Sequence, residues 1–247
     1  MGRTSMLTGL ALAVLVSTAV SAAPTAIDGG AVASSPAVRG EAFQVGDDPV
    51  EPQPLTARYR ITLSIEWSPQ THPATIPPVG RSPHVSPPVV ATHRAADDMF
   101  RLGALASPGV EAMAETGSTS ALVGEMQANA NVATVDVGSS IYGAGSRSFD
   151  VELRQDVSRV SLVTMLAPSP DWFVGVNSLP VFVDGVWESV VSADLEAYDA
   201  GTDSAPGFVH SNTDTDPAQP ISGPVDTEFA RADDEGRFGF VTITRLS

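Results

Sequence analysis

The sequence predicts a mainly β protein, an antiparallel β-sandwich with a short helical insertion. Residues 59–67 alternate apolar and polar side chains with a period of two, which is typical of a strand with one face on a core. The second half of the chain contains several short strand-like runs separated by turn residues. Strands and helices do not alternate as they do in parallel sheets, so antiparallel sheets are favoured.

The helical insertion is predicted between the first strand and the β-rich second half. Apolar residues recur at three-to-four spacing over residues 92–103 and predict a first helix there. Ser107 suits the N-cap position and Pro108 the first helical position, so a second short helix is predicted to end before Gly117. A third helical turn is predicted over residues 121–127.

The remaining chain is predicted to consist of strands and two long loops. The run at residues 160–166 is apolar on both faces, which is typical of a central strand. The Pro-rich residues 71–88 are predicted to form a loop, because proline lacks the N–H that a strand or helix needs. Residues 201–236 are acidic and predicted to be an exposed loop. Further strands are predicted at residues 132–137, 149–153, 172–176, 181–191 and 237–246.

The first 57 residues are predicted to lie outside the folded domain. Residues 1–22 have the pattern of a secretory signal peptide, with Arg3, an apolar run over 6–16 and small residues before the expected cleavage after Ala22. Residues 23–57 are rich in Ala, Gly, Pro and Ser and are predicted to be a flexible leader. The domain itself is predicted at residues 58–247. No later stretch is long and apolar enough to span a bilayer, so the mature chain is expected to be secreted without a transmembrane segment.

Charge and cysteine content exclude several kinds of partner. The chain has 13 Lys and Arg against 29 Asp and Glu, a formal net charge of −16. Nucleic acid is excluded as an expected partner, because phosphate binding needs a basic face. The acidity suits both cation binding and a solvated surface in a salty medium. With no cysteine, the chain can form neither a disulfide nor a zinc–thiolate site.

Three aspartates form the candidate metal site. Asp171 precedes a predicted strand, and Asp199 and Asp203 flank a turn that follows a later strand-like run. If both loops lie at one end of a sheet, these side chains converge and offer the carboxylate oxygens that Ca²⁺ prefers. The same residues also suit ordinary Asx turns, and their spacing by itself favours that interpretation.

The chain resembles the spondin domain, the N-terminal module of F-spondin and mindin that also occurs in secreted bacterial proteins. The resemblance covers roughly residues 59–246. It is carried by motifs in the family's order: Trp67-Ser68 with Thr71-His72-Pro73; Leu102-Gly103, Gly109-Val110 and Ala114-Glu115-Thr116-Gly117; Pro168-Ser169-Pro170-Asp171-Trp172 with Val174-Gly175-Val176; and Asp199-Ala200-Gly201-Thr202-Asp203.

The resemblance implies a C2-like, mainly antiparallel β-sandwich in an extracellular protein, with a calcium ion at one end. The family's metal-binding aspartates fall on Asp171, Asp199 and Asp203, which favours the calcium interpretation over the turn interpretation. This spacing differs from that of an EF-hand loop. The cysteines of the eukaryotic members and the thrombospondin repeats that usually follow are missing. The adhesive partners of the animal proteins are therefore a poor guide to the partners of this chain.

Three functions follow as alternatives. The leading one is a secreted, non-enzymatic calcium-binding module for extracellular adhesion or ligand recognition, with an extracellular protein or glycan as partner. The second is a secreted metal-assisted hydrolase, and the third is a structural β-module that binds no ion. The histidines show no H-E-x-x-H or G-x-S-x-G context, and the tryptophans are expected to pack in the core rather than to form a glycan platform. These residues are His72, His84, His93 and His210, and Trp67, Trp172 and Trp187.

Overall fold

The computed structural model describes residues 52–72, 83–94, 96, 99–205, 207–210, 213–223 and 238–247. The predicted signal peptide and almost all of the predicted leader lie outside these residues. The described elements, in chain order, are β1 (Thr56–Ile65), β2 (His84–Val85), β3 (Val89–His93), α1 (Pro108–Thr116), α2 (Ser120–Ala128), β4 (Val132–Val137), β5 (Ile141–Tyr142), β6 (Gly145–Arg154), β7 (Arg159–Ala167), β8 (Trp172–Pro180), β9 (Phe182–Val183), β10 (Val186–Trp187), β11 (Val190–Asp194), β12 (Glu196–Asp199) and β13 (Gly239–Arg245).

Two antiparallel sheets form the sandwich. The first has the strand order β11-β13-β1-β6. In the second, β7 pairs with β8, and β8 pairs with β12. The other edge of β7 pairs with two strands, β3 along its first part and β2 at its end. Strand β4 pairs with the far edge of β3, and β5 pairs with the far edge of β2. Strands β9 and β10 form a separate hairpin. The predicted antiparallel β-sandwich is therefore confirmed.

Strand β7 separates two apolar layers, because both of its faces are buried. Leu162 and Leu166 pack into the core between the two sheets, where they meet the inward side chains of β1 and β8. Val163 and Met165 point the other way, into a second apolar cluster that includes residues of both helices. Residues 160–166 are apolar on both faces because each face of β7 packs in a core, as predicted for a central strand. The helices cover the outer face of the second sheet.

Both helices end close to the predicted positions. The Ser107 hydroxyl accepts the Val110 N–H at 3.2 Å, and Pro108 occupies the first turn of α1. Gly117 ends α1 with φ of 71°, a left-handed conformation in which glycine has no Cβ to clash. Helix α2 confirms the third predicted helical turn. None of the helices in the described residues is long and apolar enough to cross a membrane.

The helix predicted over residues 92–103 is wrong in the part that the structure describes; residues 95, 97 and 98 lie outside the described residues. Val89–His93 forms β3, which is hydrogen-bonded between β7 and β4, and the described residues from 99 to 103 are turns and irregular backbone. Pairing on both sides of β3 outweighs the helical spacing of the apolar residues that follow it. The Pro-rich loop also contains an internal strand that was not predicted: β2 lies between β7 and β5, with its prolines outside the paired residues. Residues 73–82 of that loop lie outside the described residues.

Three further boundaries differ from the predictions. Strand β1 begins at Thr56, so the last two residues assigned to the leader belong to the first sheet. The run at 181–191, predicted as one strand, is split into β9, β10 and the start of β11. The loop predicted to be exposed from residue 201 onward begins with three buried residues, Gly201, Thr202 and Asp203, because it folds back onto the end of the second sheet. Residues 206, 211–212 and 224–237 lie outside the described chain.

Candidate functional site

Two loops that are distant in sequence meet at one end of the second sheet. Strand β12 pairs with the start of β8, which places Asp199 opposite Trp172. The turn before β8 is fixed by Ser169, a buried residue whose hydroxyl accepts the Trp172 N–H at 3.1 Å. The Ala200 N–H donates to the Asp171 carbonyl oxygen at 3.2 Å, so the two loops are joined through their backbones. The predicted convergence of Asp171 with the 199–203 loop therefore occurs.

The Asp171 side chain lies inside this junction with an exposed fraction of 0%. Its Oδ2 accepts the backbone N–H groups of Thr202 at 2.7 Å and Asp203 at 3.1 Å. The Thr202 hydroxyl is a more distant neighbour of the same oxygen, at 3.4 Å. One carboxylate oxygen thus holds the tip of the opposite loop, and Asp171 is more than a local turn residue.

The second oxygen of this carboxylate, Asp171 Oδ1, is buried and has no hydrogen-bond partner among the described residues. Buried polar atoms in folded proteins are almost always paired. Leaving one unpaired costs about 1–3 kcal/mol, and more when the group is charged. A buried carboxylate oxygen can be satisfied by a hydrogen-bond donor, by an ordered water or by a cation. Oδ1 is therefore the atom of this junction that can accept such a partner without breaking a bond within the described residues.

The other two predicted ligands already accept hydrogen bonds from backbone N–H groups. Asp199 Oδ1 accepts the Gly201 N–H at 2.8 Å in an Asx turn. Asp203 Oδ1 accepts the Ala205 N–H at 2.9 Å, and its Oδ2 accepts the Thr213 N–H at 3.2 Å. In the part of the chain that the structure describes, no three His, Asp or Glu side chains form a ready-made ligand set for a metal. The turn interpretation thus accounts for the contacts of Asp199 and Asp203, but not for those of Asp171.

Electrostatics at Asp171 suit a cation. The pKa of the Asp171 carboxyl is raised to about 6, mainly by burial; the two loop N–H groups lower it, and the negative charges of Asp199 and Asp203 contribute to the rise. The charges of Asp199 and Asp203 thus act on Asp171 and add to the negative potential at this junction. A divalent cation at Oδ1 would relieve both the repulsion and the missing contact. The Asp171 carboxylate therefore suits a cation, whereas the three aspartates do not form a complete ligand set as they stand in the described residues.

The 199–203 loop has a fixed shape because a second segment packs on it. Gly201 has φ of 74°, and a Cβ at this position would lie 2.2 Å from the Gln219 carbonyl oxygen. The Gln219 N–H donates to the Gly201 carbonyl at 2.8 Å, and the Ser222 N–H donates to the Asp199 carbonyl at 3.0 Å. Glycine is required here by both conformation and space. The Asp-Ala-Gly-Thr-Asp sequence predicts this tight turn. No motif in residues 219–222 predicts that they pack on it.

Glu115 is the neighbour of this site that sequence reasoning missed. It lies in the last turn of α1 and is half-buried. Burial raises the pKa of the Glu115 carboxyl, and the nearby Thr202 side chain lowers it. Its position before a helix-ending glycine predicts only the end of a helix, and no motif predicts contact with a loop so distant in sequence.

The two buried histidines, His72 and His93, make their contacts inside the fold. His93 has an exposed fraction of 0%, and its Nε2 lies 2.8 Å from the Ser161 hydroxyl. That hydroxyl donates its proton to Asn177 Oδ1 at 2.8 Å, so the imidazole donates to Ser161 and does not act as its base. His72 is also buried and stacks on the Phe238 ring at 4.9 Å. A nucleophile–base pair open to substrate is not formed by these residues.

The predicted packing of the three tryptophans is confirmed. Trp67, Trp172 and Trp187 are all buried in the core between the sheets. The Trp187 indole N–H donates to the Pro54 carbonyl at 2.7 Å, as a buried indole requires. Burial of these three rings therefore excludes a glycan-stacking platform built from them.

The fold and the site together define an antiparallel β-sandwich with a helical outer layer and a buried carboxylate where two loops meet. The family model described as Spondin_N matches residues 57–235 of the chain. The chain therefore belongs to the spondin N-terminal domain family, and the resemblance found in its motifs is confirmed.

Individual relatives agree with this membership. The chain is 33% identical to spondin-2 of Rattus norvegicus over 182 residues, which cover 72% of this chain and 55% of that protein. It is 33% identical to spondin-2 of Homo sapiens over 171 residues, 67% of this chain and 52% of that protein. It is also 33% identical to spondin-1 of Gallus gallus over 177 residues, 67% of this chain and 22% of that protein. The chain thus spans about half the length of its spondin-2 relatives.

Proposed function

We propose that this chain is a secreted, non-enzymatic module that binds one calcium ion at the Asp171 end of the sandwich and uses that end for extracellular adhesion or ligand recognition. The observation that carries the proposal is the buried Oδ1 of Asp171, which has no hydrogen-bond partner among the described residues and lies near two further carboxylates. Membership of the spondin family and the predicted signal peptide support an extracellular setting.

Three aspartates would hold the ion. Asp171 Oδ1 needs no rearrangement, because it has no bond in the described structure to give up. Asp199 and Asp203 would each exchange a loop N–H for the ion, and backbone carbonyls and water would complete the six to eight oxygen ligands that calcium takes. The ion would supply positive charge at the junction, so that the turn before β8 and the 199–203 loop are held together as one surface.

The recognition role is assigned to this end of the sandwich because loops from several elements meet there. The turn before β8, the 199–203 loop and the 213–223 segment form one connected surface through the hydrogen bonds described above. We assign an extracellular protein or glycan as the partner. The hydrolase alternative has no support in the histidines, since His93 and His72 are buried and hydrogen-bonded or stacked inside the fold.

A calcium titration of chelator-treated protein, followed by calorimetry, tests the proposal. We expect saturable binding at one site per chain, with a Kd in the range of ~10⁻⁵ to 10⁻³ M that is typical of sensor to extracellular modules. Magnesium should bind much more weakly, because it dehydrates reluctantly and demands stricter octahedral geometry. If no saturable heat is observed up to ~10⁻² M calcium, well above that range, the proposed calcium binding is contradicted.

A further inference from the structure

Tyr142 presents an exposed aromatic ring on the outer face of the second sheet. Its exposed fraction is 69%, whereas the three tryptophans are buried. The ring stacks on the imidazole of His84, the residue directly opposite it on β2, with ring centres 4.8 Å apart and ring planes at 18°. Because His84 covers one face of the ring, the exposed surface is largely the other face. The pair therefore presents one flat aromatic face to solvent.

The strand that carries Tyr142 is held in place on both sides. Strand β5 pairs with β2 along both of its residues, and the Gly143 N–H donates to the Pro83 carbonyl at 2.9 Å. The Arg147 guanidinium donates to the Ser140 carbonyl at 2.7 Å, which fixes the backbone that leads into β5. A tyrosine side chain has only two torsions, so little conformational entropy is lost when a ligand packs on it. The ring is therefore preorganised for contact.

Tyr142 lies at the same end of the second sheet as the candidate calcium junction. His84 is opposite both Tyr142 and Ala167. The register of β7 with β8, continued to the turn between them, places Ala167 opposite Asp171. Ala167 packs in the outer apolar cluster, and directly opposed residues share one face of a sheet. Tyr142 and Asp171 thus lie in one row on the outer face, with their backbones three strand spacings, or ~14 Å, apart.

The surroundings of the ring favour a saccharide over a protein. Residues 139–145 are Ser, Gly and Ala apart from Tyr142 and the buried Ile141. A protein hot spot is normally enclosed by a packed interface of about 800 Å² per partner, and these small residues offer little apolar area to one.

A saccharide matches both the ring and its small polar neighbours. A sugar ring has one face of C–H groups, which can pack on an aromatic face, and hydroxyl groups at its edge, which bond polar atoms. The formal net charge of −16 disfavours an anionic partner. The chemistry of this surface therefore favours a neutral saccharide.

We propose that Tyr142, braced by His84, is a stacking platform for a neutral saccharide, and that the partner recognised at this end of the sandwich is a glycan. The inference rests on the proposed function, since it names the class of partner that this end recognises. Stacking on the ring needs no ion, so the platform can be tested with and without calcium. A glycan that extends ~14 Å from the ring reaches the calcium junction.

Three variants test the platform. Tyr142→Ala removes the ring, whereas Tyr142→Phe keeps the ring and removes only the hydroxyl. Val186→Ala removes another exposed side chain, on β10, and is the matched control. Each protein is applied to an array of neutral oligosaccharides of glucose, galactose, mannose, xylose or N-acetylglucosamine. The strongest binder is then titrated by calorimetry in calcium and in chelator, and circular dichroism checks that each variant is folded.

We expect the wild type to bind at least one of these oligosaccharides saturably. Tyr142→Ala should weaken that binding by about tenfold, because the stacking contact and its apolar area are lost. Tyr142→Phe and Val186→Ala should stay within about twofold of the wild type, as surface changes away from the contact do.

Two results would overturn the assignment: no binding to any oligosaccharide in calcium or in chelator, or equal affinity of the wild type and Tyr142→Ala. Binding to an extracellular protein that is lost in Tyr142→Ala, with no saccharide bound, would make the ring a protein contact and would equally contradict a glycan partner.

A calcium titration of the same samples judges the proposed calcium binding separately. Saccharide binding through Tyr142 without calcium binding contradicts the calcium site and supports the platform. Calcium binding with unchanged saccharide affinity in Tyr142→Ala contradicts the platform alone.

Discussion

Asp171→Asn should abolish the stabilisation that calcium gives the wild-type protein. An ion that binds only the folded state stabilises it by about 2.7 kcal/mol at one hundred times its Kd. The substitution removes the charge and one of the two oxygens, so the ion loses its central ligand. Asparagine keeps an oxygen that can accept the Thr202 and Asp203 amides, so the loop contacts are retained. Scanning calorimetry in calcium and in chelator measures the difference directly.

A matched control distinguishes the site from general charge effects. Asp136 is an exposed aspartate on β4 and contributes nothing to the junction of the two loops. Asp136→Asn should show the full calcium-dependent rise in melting temperature. A rise in Asp171→Asn equal to that of the wild type would mean that the ion binds elsewhere or that the aspartate is not a ligand.

Without calcium, the protein should lose stability as the pH rises towards and through about 6. The pKa of Asp171 is about 6 in the folded chain against an ordinary value of 3.8, so between these values the folded state binds more protons than the unfolded state. The free energy of unfolding therefore falls as pH increases through this window. The whole change is roughly 3 kcal/mol, absent below the ordinary pKa and fully present above the raised one.

Denaturant unfolding at several pH values in chelator measures this change. The pKa of Asp150 is lowered by its hydrogen bond to Arg60, so its effect on stability lies below pH 3.8 and outside this window. The difference between wild type and Asp171→Asn isolates the contribution of Asp171. The wild type should lose stability relative to the variant as pH rises, and calcium should restore it. Parallel curves for the two proteins would contradict the account.

Local signals explain which parts of the fold could be predicted from sequence. Strand β1 has a period of two that matches its buried face, and α1 has its own N-cap and a terminal glycine, so neither depends on partners for its assignment. Strand β3 was missed because its neighbours on both sides decide its conformation, and these lie far away in the chain. Strand β2 has only two residues, which is too short for any periodicity.

The candidate site was predictable in its position but not in its bonding. Turn residues on either side of strand-like runs predicted that Asp171 would meet the 199–203 loop, and the register of β12 on β8 brings this about. The sequence could not show that Asp199 and Asp203 accept backbone N–H groups while Asp171 Oδ1 has no partner among the described residues. Nor could it show Glu115 beside Thr202, because that contact depends on how the helices pack on the second sheet.

The central claim is that Asp171 Oδ1 binds a calcium ion at the junction of the two loops. Anomalous scattering from a calcium-soaked crystal locates the ion directly. We expect one strong peak about 2.3–2.6 Å from Asp171 Oδ1, the ordinary calcium–oxygen distance, with oxygens of Asp199 and Asp203 in the same shell. A crystal in which Asp171 Oδ1 is bonded to protein atoms instead, with no calcium peak beside it, would contradict the account.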